Sequence, residues 1–171
     1  MDANEALKKL KEGNERFVQG KPSQKDYAKR RAQLLSGQHP YATVLSCSDS
    51  RVVPEYIFDA DMGEIFIIRN AGDLANDPIT LGSIEYGVEH THTPLLVVMA
   101  HQFCGAVAAT CACKGISDEG HIKDIVESIN SVAKKHEYNP EKCVIECTKE
   151  TAKSLPEKSA VVKNLVDAGK L

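Results

Sequence analysis

Three residues of this 171-residue chain, Cys47, His101 and Cys104, carry the donor types of a zinc site. Cys47 ends an apolar run, Tyr41 to Ser46, rich in strand formers, and His101 follows another, Pro94 to Ala100. As parallel strands, these runs would place both side chains at the carboxyl edge of one sheet, where open α/β folds hold their ligands. Cys104 opens a helix that continues through Gly105-Ala-Val-Ala-Ala, and the unpaired N–H groups and dipole of a helix start lower a thiol's pKa. Two thiolates and one imidazole leave the fourth zinc position free, as in a catalytic rather than a structural site. Spacing alone also suits a buried thiol, a capping histidine and a core cysteine.

The segment Cys47-Ser-Asp49-Ser-Arg51 adds a carboxylate and a guanidinium on the loop that leaves the first of these strands. Asp49 has two options: to take the fourth zinc position itself, or to pair with Arg51 and accept a hydrogen bond from a zinc-bound water. The planar fork of arginine favours the second.

The elements that must position these groups follow from hydropathy. Apolar runs at 41–46, 64–68 and 94–100 read as buried strands, and their continuous apolar character suits a parallel sheet covered on both faces. Helical patterns fall at about 3–18, 27–35, 52–60, 78–90, 105–115, 121–136, 141–154 and 157–168. Alternation in the first half and helices thereafter predict an α/β fold, a parallel sheet core flanked by helices, in a single domain over 1–171. Hydrophobic residues make up 42% and charged residues 26%, enough for a real core, and the net charge of −3 recommends neither nucleic acid nor an anionic membrane as partner. No apolar run approaches the ~20 residues of a membrane span, and the charged start of the chain predicts a cytoplasmic protein.

A reducing compartment makes the six cysteines ligands or buried fillers rather than a disulfide framework. Cys111 and Cys113 face different ways on a helix and read as fillers. Cys143 and Cys147 share a face, but no further ligand stands at finger spacing to make a second metal site with His121 or His136. His90 and His92 read as capping residues at a helix end. No phosphate-binding glycine motif occurs.

The segments Cys47-Ser-Asp-Ser-Arg51, Val52-Val-Pro-Glu55, Arg69-Asn-Ala-Gly72 and His101-Gln-Phe-Cys104-Gly105-Ala-Val107 resemble, in order and spacing, the signatures of β-class carbonic anhydrases. The likeness extends from Leu10-Lys-Glu-Gly-Asn-Glu-Arg-Phe17 to Ala168-Gly-Lys-Leu171. It implies zinc ligands Cys47, His101 and Cys104, with Asp49 and Arg51 as a catalytic, orienting dyad. It also implies a plant-like carbon dioxide pocket at Gln38, Phe66 and Tyr86, with Gly105 among the substrate-binding positions. Val44 stands where the bicarbonate-inhibited bacterial subgroup has tryptophan, which points to an open site bearing water. The resemblance further implies a homodimer or larger homo-oligomer, in which the helix at about 3–18 lies over the neighbour and Gln38 reaches the neighbour's site. Relatives continue into two more strands, so this chain is expected to lack that C-terminal strand pair and to leave the 94–100 strand with a bare edge.

Residue chemistry fits the resemblance. Carbon dioxide is small and apolar, so its pocket needs a greasy wall, which Phe66 supplies, and one donor, the Gln38 amide. Two thiolates reduce the formal charge of the zinc site from +2 to 0, so a bound water is less acidic than the pKa of about 7 in a three-histidine carbonic anhydrase site. Asp49, kept ionised by Arg51, offsets this by orienting the hydroxide. The expected activity is reversible hydration of carbon dioxide to bicarbonate by zinc-bound hydroxide. Its rivals are a carbonyl sulfide or carbon disulfide hydrolase on the same scaffold, and a non-catalytic zinc-binding or redox-sensing protein.

Overall fold

The computed structural model describes residues 1–171. Three parallel strands, β1 (Ala42–Cys47), β2 (Ile65–Asn70) and β3 (Leu96–Met99), pair in the order β2-β1-β3. Every residue of the central strand β1 is buried. In register, Cys47 lies opposite Asn70 and Ser46 opposite Met99, so the carboxyl ends of all three strands reach one rim. β3 is an edge strand, and α7 (Pro140–Lys158) packs against it.

Helices cover both faces of the sheet. On one face Ala6 and Leu10 of α1 (Ala3–Val18) pack with Tyr41, Ala42 and Ile65, and a capping box between Asp2 and Glu5 fixes the helix start. Gly13 is required there, because a Cβ would stand 1.8 Å from the carbonyl oxygen of Phe58. Leu7, Phe17 and Val18 of the same helix are exposed. On the other face Leu45 packs with Ile84 of α4 (Pro78–Glu85), Val88, Leu155 of α7 and Val162 of α8 (Ala160–Asp167). A third core lies beyond the rim, where α5 (Gly105–Ala112), α6 (Ile122–Lys135) and α7 meet. It holds Cys47, Cys104, Cys111, Cys143 and Cys147 among apolar side chains, and all cysteines of the chain are free thiols.

Several boundaries differ from those expected. The 27–35 pattern becomes α2 (Tyr27–Gln33) and a 3-10 turn, Leu34–Ser36. The 52–60 helix shrinks to α3 (Pro54–Ile57), because the chain turns at Asp59 with φ 46. The 78–90 helix changes to a π turn over Tyr86–His90, where Gly87 lies on the sheet with no room for a Cβ: Thr43 Oγ1 would be 2.5 Å away. The break expected between 154 and 157 falls instead at Ser159, and α7 continues through Pro156 at the cost of that residue's own backbone hydrogen bond. Ser159 then caps α8 by accepting from Val162 N–H at 3.1 Å.

One charged cluster ties α1 and the segment after it to the turn that follows α3. The Asp59 carboxylate is fully buried and accepts from Arg16 Nε at 2.6 Å, from the Ser23 hydroxyl at 2.8 Å, from the Ser23 amide at 3.0 Å and from Lys25. Burial alone would raise its pKa, but Lys25, Arg16 and Ser23 outweigh it and hold the group below the usual carboxylate range. Its contribution to stability is therefore present above the unfolded-state pKa and is lost only as pH falls through the lower folded value. Asp59→Ala leaves Lys25 without its buried counter-ion, and urea unfolding at neutral pH should show a loss of about 3 kcal/mol; a loss below about 1 kcal/mol would mean that the cluster contributes no more than a surface pair.

Candidate metal centre at the rim of the sheet

Adjacent parallel strands deliver Cys47 and His101 to the same edge, and the turn after His101 returns Cys104 beneath them as the N-cap of α5. The Sγ atoms of Cys47 and Cys104 stand 4.0 Å apart, and with a ring nitrogen of His101 all three donor atoms lie within 4.8 Å of one another. Both thiols are buried, and His101 Nε2 is a buried nitrogen with no hydrogen-bond partner. An orphaned buried imidazole nitrogen is costly unless something binds it. Two zinc–sulfur bonds of about 2.3 Å at a tetrahedral angle span about 3.8 Å, close to the separation of the thiols. The donor set fits zinc.

Asp49 stands beside this trio, with Oδ2 at 3.9 Å from His101 Nε2. Both of its oxygens are taken by Arg51: Oδ1 accepts from the Arg51 amide at 3.0 Å and from Nε at 2.9 Å, and Oδ2 accepts from a terminal nitrogen at 2.7 Å. Of the two options open to Asp49, the geometry is that of the arginine pair. The Arg51 hydrogen bonds hold the Asp49 carboxyl well below the usual range, so it is an anion at any physiological pH.

The thiol of Cys104 departs from expectation. Burial, the largest influence, raises its pKa, and the neighbouring Cys47 adds to this; the amides of Val107 and Ala106 at the helix start pull the other way but do not prevail. Desolvation exceeds the helix-terminus effect because the thiol is buried in an apolar core. Deeper in the same core, burial and neighbouring thiols push Cys111 and Cys147 up to about 12, which keeps them protonated and unreactive, as fillers should be.

Two supporting groups were not singled out from sequence. Arg69, at the end of β2, donates from Nε to the Cys47 carbonyl at 3.0 Å and from a terminal nitrogen to the Asp49 carbonyl at 2.8 Å, fixing the loop that carries the dyad. The Gly72 amide donates to Cys47 Sγ at 3.5 Å. The signal available for both was the Arg69-Asn-Ala-Gly72 turn at the end of an apolar strand, on the rim shared with Cys47.

Of the pocket residues, the chain brings only Gly105 to its own trio, next to Cys104. Phe66 pairs with Thr43, four residues before Cys47, or about 13 Å down the strand. Tyr86 lies over Phe66 with ring centroids 5.9 Å apart, and Gln38 is exposed on the segment entering β1. All three therefore sit at the amino end of the sheet, away from the rim.

A sequence model of the family described as Carbonic anhydrase matches residues 42–171. The chain belongs to the β-class carbonic anhydrase family. Carbonic anhydrase 2 of Mycobacterium tuberculosis (strain ATCC 25618 / H37Rv) is 46% identical over 127 residues, which cover 72% of this chain and 61% of that protein. A carbonic anhydrase of Mycolicibacterium smegmatis is 44% identical over the same length, with the same coverage. The chain thus spans about three fifths of these curated relatives. Among solved structures, the β-carbonic anhydrase CafA of Aspergillus fumigatus superposes with a TM-score of 0.71 at 25% identity, covering 97% of this chain and 81% of that one. The α/β fold with its parallel sheet is that of the family. No helix is long and apolar enough to cross a membrane.

One buried acid beside the centre has a pH signature. Asp73 follows Gly72 in the loop after β2, is 3% exposed, and its carboxylate accepts from the Thr148 hydroxyl at 3.2 Å. Burial raises its pKa from 3.8 to about 6, against the opposing hydrogen bond from Thr148. For a raised carboxyl, stability is fully present below the unfolded value and is lost as pH rises through the folded one, here a loss of about 3 kcal/mol. Asp73→Asn avoids that loss. Urea denaturation should show it more stable than the parent chain above about pH 6 and equal to it near about pH 4; equal stability at both pH values would contradict this account of Asp73.

Proposed function

We propose that the chain catalyses the reversible hydration of carbon dioxide to bicarbonate and a proton, with zinc held by Cys47, His101 and Cys104. The observation that carries this reading is His101, whose Nε2 is buried without a partner and whose imidazole is grouped with two thiols beside a carboxylate that Arg51 keeps charged. Zinc bound there would act as a Lewis acid that makes water nucleophilic near neutral pH. With the metal bound, Asp49 would be the hydrogen-bond acceptor for the reacting water, and Arg51, which bonds both of its oxygens, would keep the carboxylate ionised and oriented for that role. Gly105, which has nothing within 4 Å of a notional Cβ, leaves open space beside Cys104 for a small substrate.

The remote positions of Gln38, Phe66 and Tyr86 support a homo-oligomer. In such an assembly they would line the pocket at the rim of another copy, and Tyr86 is exposed and so available for that contact. The reading of the site as the plant-like, open kind is supported by the pairing of Asp49 with Arg51. Free thiols in number fit a reducing cytoplasm.

The test is metal content and carbon dioxide hydration on the purified chain, with carbonyl sulfide and carbon disulfide as alternative substrates. Cys47→Ser should lose both zinc and hydration. Asp49→Ala should keep its zinc and lose about 10- to 100-fold in hydration; unaltered hydration in that variant would remove the dyad from the mechanism. Hydration by the parent chain should accelerate as pH rises through and above about 7, and a flat profile from about pH 6 to about pH 9 would contradict the assignment.

A further inference from the structure

The loop that carries two of the three candidate ligands is held in an unfavourable backbone conformation. Phe103, between His101 and Cys104, has φ 58, a left-handed conformation that a bulky side chain rarely adopts. Its ring is 77% exposed, so packing of the side chain does not hold the conformation in place. The carbonyl of Phe103 is held: a terminal nitrogen of Arg51 donates to it at 3.3 Å while also bonding Asp49 Oδ2 at 2.7 Å. One guanidinium therefore joins the loop that follows Cys47 at the end of β1 to the loop after β3, which bears His101 and Cys104.

We propose that Arg51 is a positioning residue for the metal set itself, clamping the strained turn at Phe103 so that His101 and Cys104 stay turned toward Cys47. This task is separate from holding Asp49, and it rests on the reading of the trio as a zinc site. Strain at a site persists only where its surroundings over-determine it. The planar fork of arginine bonds both acceptors at once; lysine keeps the charge but presents it as a point, without the fork. Arg51 is 63% exposed, so its replacement spares the core.

The measurement is zinc affinity by competition with a chromophoric chelator, on the parent chain, Arg51→Lys, Phe103→Gly and the double variant. Because charge is conserved, a loss of affinity in Arg51→Lys is not coulombic. Outer-shell partners of metal ligands are commonly worth 10- to 100-fold in affinity, and Arg51→Lys should raise the zinc Kd about tenfold, the low end for an exposed group. Glycine adopts the left-handed conformation without strain. In the Phe103→Gly background the same lysine substitution should therefore cost less than about threefold.

A lysine penalty of equal size in both backgrounds would mean that Arg51 acts only through Asp49, and would overturn the clamp. So would a wild-type Kd in Arg51→Lys. Failure of the parent chain to bind zinc would be seen before any variant is compared, and would overturn the metal reading and the clamp together.

Discussion

The burial of His101 Nε2 without a partner is the constraint on which the rest of the molecule turns. A polar nitrogen taken out of water and given nothing in return costs free energy, and here it is grouped with two buried thiols, Cys47 and Cys104, that make no strong hydrogen bonds of their own. Such a grouping is unfavourable as a core and favourable as a ligand set. Around it the chain supplies what a metal needs from its surroundings: Arg69 fixing the backbone of Cys47 and Asp49, Gly72 donating to sulfur, and Arg51 keeping Asp49 ionised.

Positioning of the trio depends on strand order more than on any local motif. Since β1 and β3 are adjacent and parallel, their carboxyl ends coincide, and residues 47 and 101 meet although 54 positions separate them in the sequence. Burial of β1 on both faces makes that edge rigid. The two face cores, one under α1 and one under α4, α7 and α8, hold the sheet from either side. The thiol-rich core beyond the rim then fixes α5, whose N-cap is Cys104. Asp59 plays the opposite electrostatic part from His101: it is a buried charge whose every need is met, and it fastens α1 and the segment after it to α3.

Polar groups near the centre sort by how their burial is compensated. Asp49 is compensated by arginine and stays charged, Asp73 by a single hydroxyl and titrates near 6, and the thiols of Cys111 and Cys147 by nothing, so they stay neutral. Desolvation and pairing set how far, and in which direction, each of these groups departs from the ordinary value of its type.

Much of this was legible from the chain alone. Continuous apolar runs identified the three strands and their parallel arrangement, since only a sheet covered on both faces tolerates them, and the donor types of Cys47, His101 and Cys104 with Asp49 and Arg51 nearby are properties of sequence. Element ends were less legible: α3 stops early because Asp59 turns the chain to reach Arg16 and Lys25, and α7 continues through Pro156 to Ser159, whose side chain caps the start of α8. Those are long-range or competitive contacts that local pattern does not encode. Only the tertiary structure decided that Cys104 is raised rather than lowered in pKa, because burial depends on what packs over the helix start. It also decided that Phe66 and Tyr86 stand a strand's length from the rim, because strand direction fixes which end of a sheet a residue occupies. The sequence determined which atoms are available for chemistry; their desolvation, and which of them face one another, came from chain packing.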